Sequence, residues 1–387
     1  MLKELPETLD ETYERILRDI NKANWDLAHR LLQCLMVSVR PLRVAELAEV
    51  LAVDFGTASR GETSTLNTDW RWEDQQEAVL STCSSLISVA DEYDGQVVQF
   101  SHFSVKEFLT SSRMADSSSD VSRFHILLEP AHTVLAQACL GVLLRLDELV
   151  YEHSAKDKFL LARYAAEHWV DHALFENVSS HIREEMEALF DPNKPHFAAW
   201  LQVHDIDSRP STTSVLIYFA NLTREKSNTA TPLYYAALCG FHDLTEHLTI
   251  KHPEQVNAVG GHYVSPLAVA LNGGHLKIAQ LLYERGANID VRGCYKRTLL
   301  RGVSASGKLD IVQWLLSRGA DPHVRNEYDW TPLHSAAGLG HAEVTRLLVE
   351  RGAILDAEND EGKTAFQVAS ERGKRDIAKF LSDLGSK

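Results

Sequence analysis

The sequence predicts a mainly α protein in two parts: a helical N-terminal half holding one small β-wing, and a C-terminal solenoid of helix pairs. Two observations predict it. From Thr231 onward a Thr/Ser opening recurs at Thr231, Ser265, Thr298, Thr331 and Thr364, spaced 34, 33, 33 and 33, and a glycine follows nine residues later at Gly240, Gly274, Gly307, Gly340 and Gly373. Ahead of that array, three helix-like stretches lead into two β-rich stretches joined by Asp94-Gly95, a dipeptide that favours a tight hairpin turn.

The chain opens with an amphipathic helix in which Leu9, Tyr13, Ile16 and Ile20 fall on one face. Helices follow over 27–37 and, after a break at Pro41, over 44–50; a Ser/Thr/Gly-rich loop fills 56–68, and a third helix covers 74–86. Strands are predicted over 86–90 and 96–100. Ser104-Val105-Lys106-Glu107 then reads as a capping box that starts another helix. Helix, helix, helix and wing is winged-helix order, which invites a DNA-binding reading. The charges oppose it: the third helix carries Glu73, Asp74 and Glu77 with no Lys or Arg, and the wing carries Asp91, Glu92 and Asp94. A face meant to neutralise phosphates needs basic side chains.

The middle of the chain reads as helices over 132–144, 159–172 and 182–189, and 204–230 reads as a Ser/Thr/Pro-bearing connector with one apolar turn over 215–219, a degenerate first repeat being the alternative there. The predicted domains are therefore a leading helix at 1–24, a winged helix at 25–115, a helical linker at 125–203, the connector, and the array at 231–387.

Within the array each feature has a physical reason. The Thr or Ser hydroxyl can cap the first helix while Pro232, Pro266 or Pro332 occupies a position whose N–H needs no partner. Ala236, Ala237, Ala336 and Ala337 let paired helices approach closely. Leu281-Leu282, Leu315-Leu316 and Leu347-Leu348 supply the apolar stripe of the second helix, ended by Gly286, Gly319 and Gly352. The third repeat departs, reading Thr298-Leu299-Leu300-Arg301-Gly302, with Leu for Pro and Arg in place of His; it is expected to be the weakest joint. The last repeat places Lys374, Arg375, Asp376, Lys379 and Ser382 on its outer helix, so the array is expected to end there with a polar cap. The period, with Thr331-Pro332-Leu333-His334 and Leu347 to Ala353, resembles the ankyrin repeat. That resemblance implies a stack of about five repeats whose business is binding another protein.

The N-terminal block, from Leu5-Pro6-Glu7-Thr8-Leu9 through Phe100-Ser101-His102-Phe103 to Leu109, together with Tyr164-Ala165-Ala166-Glu167-His168-Trp169, resembles the region after the nucleotide-binding domain in fungal NACHT-ankyrin proteins, which are NLR-like STAND receptors. It is also similar to the module named for the winged helix of GPI inositol-deacylase, although no Gly-x-Ser-x-Gly elbow occurs in this chain. The resemblance implies a receptor whose array senses, whose winged helix relays, and whose NTPase domain lies upstream of this sequence. A stand-alone ankyrin adaptor is the rival reading.

Composition sets outer bounds. The chain has 387 residues, 44% hydrophobic and 24% charged, and a formal net charge of -15, which argues against nucleic acid or an anionic membrane as partner. No signal-peptide core opens it, its longest apolar stretch (134–144) is too short to span a bilayer, and its five cysteines have no metal or disulfide spacing, so a cytoplasmic protein is expected.

No catalytic, metal or cofactor-binding residue is assigned. His168 and His172, one turn apart around Asp171, have the outline of a zinc motif and carry the rival metal-dependent hydrolase reading, but no third ligand is signalled; packing histidines are the plainer reading. Gly362-Lys363-Thr364 resembles the end of a phosphate loop, yet Ala357 stands where the leading glycine belongs and Thr364 opens a repeat. The partner-binding candidates are Tyr263, Tyr295, Arg297, Tyr328 and Trp330, which precede the repeat openings and so fall in one row at the repeat tips. Aromatics with flanking charge are the usual anchors of interfaces. The alternative is that they pack on the neighbouring hairpin.

Overall fold

The computed structural model describes residues 9–55, 64–71, 73–83, 85–93, 95–115, 120–146, 159–208, 230–291 and 298–385. It is mainly helical and divides into two compact units, Met1–Ile206 and Asp207–Lys387.

In the first unit the helix Trp25–Val37 is buried from Leu31 through Val37, because it packs against the helices Val44–Leu51 and Gln75–Cys83 and also against Leu128–Leu143. The wing is a three-stranded antiparallel sheet. Gly95–Phe100 lies between Ile87–Glu92 and a two-residue strand, Leu42–Arg43, with Val98 opposite both Val89 and Leu42. Val53–Asp54 pairs separately with Thr65–Leu66. Two-residue strands carry no readable alternation, so none of these three was visible in the sequence. The Asp94 half of the predicted turn lies outside the described residues.

Two sequence expectations are corrected here. The first helix, Leu9–Asp19, buries Tyr13 and Leu17, while Leu9 is 53% exposed and Ile16 only partly covered. The helix is held by Tyr13, whose ring lies 5.5 Å from Phe108 and whose hydroxyl bonds the Ser104 hydroxyl at 2.7 Å; Leu17 falls on that same face. Ser104 is therefore not the cap. The helix runs Phe103–Leu109, and His102 caps it by accepting from the Ser104 N–H through Nδ1. With its hydroxyl engaged by Tyr13 and His102, Ser104 sits inside the first turn.

Behind the winged helix lie Leu128–Leu143, Ala162–Ala173, Val178–His181, Arg183–Leu189 and His196–Val203. The first starts at Leu128, ahead of the predicted 132, because Pro130 stands in the first turn, where its missing N–H leaves no bond unmade. Trp169, Phe190, Phe197 and Trp200 form an aromatic cluster among these helices. Buried carboxylates tie distant segments in: Glu46 takes two bonds from the Arg40 guanidinium and one from the Arg43 N–H, and Glu49 binds Arg71 and the Leu161 N–H. Burial pushes the Glu49 carboxyl up, against the pull of those donors.

Among the described residues the second unit has five helix pairs: Pro232–Cys239 with His242–Lys251, Pro266–Gly273 with Leu276–Glu284, Leu299–Ser306 with Leu309–Ser317, Pro332–Leu339 with Ala342–Glu350, and Ala365–Glu371 with Arg375–Gly385. Thr231, Ser265, Thr331 and Thr364 cap their helices through the side chain. Thr298 makes no such bond, and its buried hydroxyl has no partner among the described residues. Of the paired leucines in the second helices, Leu282, Leu315 and Leu348 are fully buried. In the last pair Ile377, Ala378 and Leu381 face inward, and Arg375, Asp376, Lys379 and Ser382 face out.

Successive repeats are joined by a donor reaching back to the preceding first helix. His341 donates through Nε2 to the Ala305 carbonyl at 3.0 Å, and the Lys308 ammonium does the same to Asn272. Gly307 makes room for this: its φ is +70°, and a Cβ there would run into the His341 ring. Gly307→Ala is accordingly expected to cost about 1–3 kcal/mol, from the left-handed backbone and the displaced ring together. Urea unfolding of the repeat unit measures it, and an unchanged midpoint would contradict this account.

Candidate functional site

Two of the repeat tips are built by buried asparagines. In the fourth repeat Asn326 Oδ1 accepts from the N–H groups of Tyr328 (3.1 Å) and Trp330 (2.8 Å), while its own N–H donates to the Trp330 carbonyl. Asn359 repeats the arrangement with Glu361 (3.1 Å) and Lys363 (2.9 Å). Each stands five residues before a repeat-opening Thr, a signal present in the sequence but hidden beside the louder Thr-Pro-Leu. The two tips are bonded to each other by Asp360 N–H to the Tyr328 carbonyl (3.1 Å), by Arg325 to the Glu358 carbonyl (2.9 Å), and by His334 Nε2 to the Lys363 carbonyl (2.9 Å). Burial lowers the His334 pKa and keeps its ring neutral, with Nδ1 free to accept from the Thr331 N–H.

On this scaffold the predicted anchors differ. Tyr328 is 50% exposed, flanked by exposed Glu327 and Asp329, with Asp360 and Glu361 exposed on the next tip. Asp329 takes a left-handed φ of +53°, a conformation that a short carboxylate side chain tolerates. Trp330 departs from the freely exposed row: it is half-buried, 5.9 Å from the His334 ring and with the Arg372 guanidinium 5.1 Å above its face. The cause is Arg372, which reaches over it from the fifth repeat. Tyr263 is also half-buried, edge-on to His262 at 4.8 Å. Tyr295 and Arg297 lie outside the described residues.

The first tip is held by Asp207, which accepts from the Tyr234 hydroxyl (3.0 Å) and the His262 N–H (2.7 Å), while the Tyr234 oxygen accepts from the Tyr263 N–H (3.1 Å). Burial, with the Asp207 charge next, pushes the Tyr234 hydroxyl far above its ordinary pKa, so it remains a donor. The next residue, Val264, sits at φ +76°, inside a three-residue turn closed by Ser265 N–H to the Tyr263 carbonyl. A β-branched residue is strained there, which marks this tip as over-determined by its surroundings.

The two histidines of the linker helix are placed for different tasks. His172 is fully buried, with Nε2 on the Tyr164 hydroxyl (2.9 Å) and Nδ1 on His132 Nδ1 (2.9 Å), whereas His168 lies nearer the surface with Nδ1 on Asp171 (3.0 Å). Among the described residues no three His, Cys, Asp or Glu side chains are grouped to hold a metal ion. Thr364 caps its helix, and Gly362-Lys363 belong to the Asn359 tip. None of the described helices is long and apolar enough to cross a membrane.

Comparison with known proteins agrees with this architecture. Residues 17–122 match the family model described as the GPI inositol-deacylase winged helix domain; residues 262–294 match the ankyrin repeat, and 299–387 the model of three ankyrin repeat copies. The chain carries a winged helix followed by ankyrin repeats. The helix pair Pro232–Cys239 and His242–Lys251 precedes the matched ankyrin residues and shares their geometry, with a Thr cap and a left-handed glycine at Gly240. A curated relative, azaphilone pigments biosynthesis cluster protein L of Monascus ruber, is 31% identical over 301 residues, which cover 74% of this chain and 61% of that protein. The ankyrin repeats support a role in protein–protein interaction.

Proposed function

We propose that this is a non-enzymatic, cytoplasmic recognition protein: its ankyrin tips bind a partner protein, and its winged helix relays that event to an NTPase domain of an NLR-like receptor. The observation that carries the binding part is Tyr328. It is an aromatic ring half open to solvent on a tip whose backbone is already fixed by Asn326 and Asp360, so binding need not order the loop first. The relay part is supported by the winged-helix match and by its acidic face, where Glu73, Asp74, Glu77, Asp91 and Glu92 are all exposed and unsuited to a phosphate backbone.

Tyr328→Ser is expected to weaken capture of the proteins that copurify with the full chain by tenfold or more, a loss of about 1.4 kcal/mol, with no change in thermal midpoint. Trp330→Ser should instead lower the midpoint of the repeat unit, because it uncovers the contact with Arg372. Undiminished capture by Tyr328→Ser would remove the tip as the binding surface. The relative's place in a pigment biosynthesis cluster supports a second reading, a stand-alone ankyrin adaptor. That reading is favoured if the N-terminal unit neither binds nor alters the rate of any NTPase.

A further inference from the structure

Three side chains in the first unit form a hydrogen-bonded chain from the helical layer to the winged helix. It starts at the turn after Trp25–Val37, where the Val39 N–H donates to the Tyr164 oxygen (3.2 Å). The Tyr164 hydroxyl lies 2.9 Å from His172 Nε2, and His172 Nδ1 lies 2.9 Å from His132 Nδ1. The same turn is gripped a second time by the ring of Tyr164, which lies 5.0 Å below the Arg40 guanidinium, itself bound to Glu46. Tyr164 and His172 are fully buried; His132 is only half-buried, stacked on Phe175 at 4.1 Å, and so is the member that protons reach.

The chain has a direction. With its oxygen accepting from Val39, Tyr164 donates its own proton to His172 Nε2; His172 then carries its single proton on Nδ1 and donates it to His132 Nδ1. A neutral His132 with its proton on Nε2 completes the chain. A proton added to His132 must go to Nδ1, where it meets the His172 proton head-on. If His172 instead reverses to accept it, His172 Nε2–H turns on Tyr164, and the Tyr164 hydroxyl proton loses its acceptor in a buried site.

We propose that Tyr164, His172 and His132 are a proton-sensitive latch, which holds the Val39–Arg40 turn of the winged helix onto the helical layer while His132 is neutral and releases it when His132 is protonated. The charged and titratable groups around it favour this sense. Asp171 and His168 lie on the helix of His172 and pull its charge in opposite directions; Arg40 faces Tyr164 from the turn, Cys34 and Cys139 face it from Trp25–Val37 and Leu128–Leu143, and on the helix of His132 the Glu129 carboxylate lies 3.7 Å from His181 Nδ1. Burial lowers the proton affinity of both His132 and His172, so the neutral, latched form is the one present near neutrality.

The test is hydrogen exchange of the full chain between pH 8 and pH 5, corrected for intrinsic rates. Across that range protection of the Val39 amide is expected to fall at least tenfold more than that of amides within Leu128–Leu143. In His132→Phe, which retains the stack on Phe175 but cannot take a proton, Val39 protection should fall with pH no further than that of amides within Leu128–Leu143. Constant protection in the wild type, an equal loss throughout Leu128–Leu143, or the same pH dependence in His132→Phe would each overturn the latch. Ring carbon shifts of the wild type give an independent reading: His172 protonated on Nδ1 and His132 on Nε2 are expected at pH 8, and the reverse pair would also overturn it.

Discussion

Trp169→Ala is expected to lower the unfolding free energy of the N-terminal unit by about 3–5 kcal/mol, the cost of deleting a large aromatic from a packed core. Trp169 is fully buried and meets two other rings edge-on, Trp200 at 5.4 Å and Phe190 at 6.1 Å. Trp200 in turn donates through its indole N–H to the Ala166 carbonyl at 3.1 Å, so the cavity left at 169 would loosen a hydrogen bond as well as two ring contacts. The helices Ala162–Ala173, Arg183–Leu189 and His196–Val203 converge on this cluster. Urea unfolding followed by circular dichroism should show one transition displaced to lower denaturant, with the transition of the ankyrin repeats in place. Trp169→Phe keeps most of the volume and should lose less than half as much. A loss under 1 kcal/mol for Trp169→Ala would mean that the cluster does not organise these helices.

Acid is expected to be the second large perturbation. His172 titrates at about 3 in the folded protein, burial being the larger cause and the neighbouring His132 charge the next, against an ordinary value of 6.5. Between those two values the unfolded chain holds a proton that the folded chain refuses. Stability from this group is therefore complete above pH 6.5, declines as the pH falls below it, and goes on declining to about 3. At pH 5 the loss from His172 alone is on the order of 2 kcal/mol. His29 and His132, in the same unit and also lowered by burial, act in the same sense. Denaturant midpoints of the N-terminal unit at pH 7 and pH 5 measure the effect, and equal midpoints would contradict it.

The sequence made the array legible because each repeat states its own boundaries: a capping hydroxyl, a proline and a left-handed glycine are local signals that need no knowledge of the rest of the chain. The winged helix was legible as an order of elements for the same reason. What escaped was set by contacts between distant residues. Ser104 looks like a cap until Tyr13, 91 residues away, takes its hydroxyl. Trp330 looks like an exposed anchor until Arg372 lies over it. The pairing of His132 with His172 joins positions 40 apart, and no spacing announces it. In the candidate site, type and place were readable at Tyr328, whereas the asparagines that fix its tip gave only a weak periodic signal.

The uncapped third repeat has a mechanical meaning. Where Thr331 and Thr364 close their helices with reciprocal capping bonds, Thr298 makes no cap, and its buried hydroxyl has no partner among the described residues. A solenoid loaded along its length parts first where neighbouring turns hold each other least. Tension on this array would therefore be taken up near residue 298, like a hinge pin of softer metal, with the pair carrying Tyr328 moving as one rigid plate beyond it.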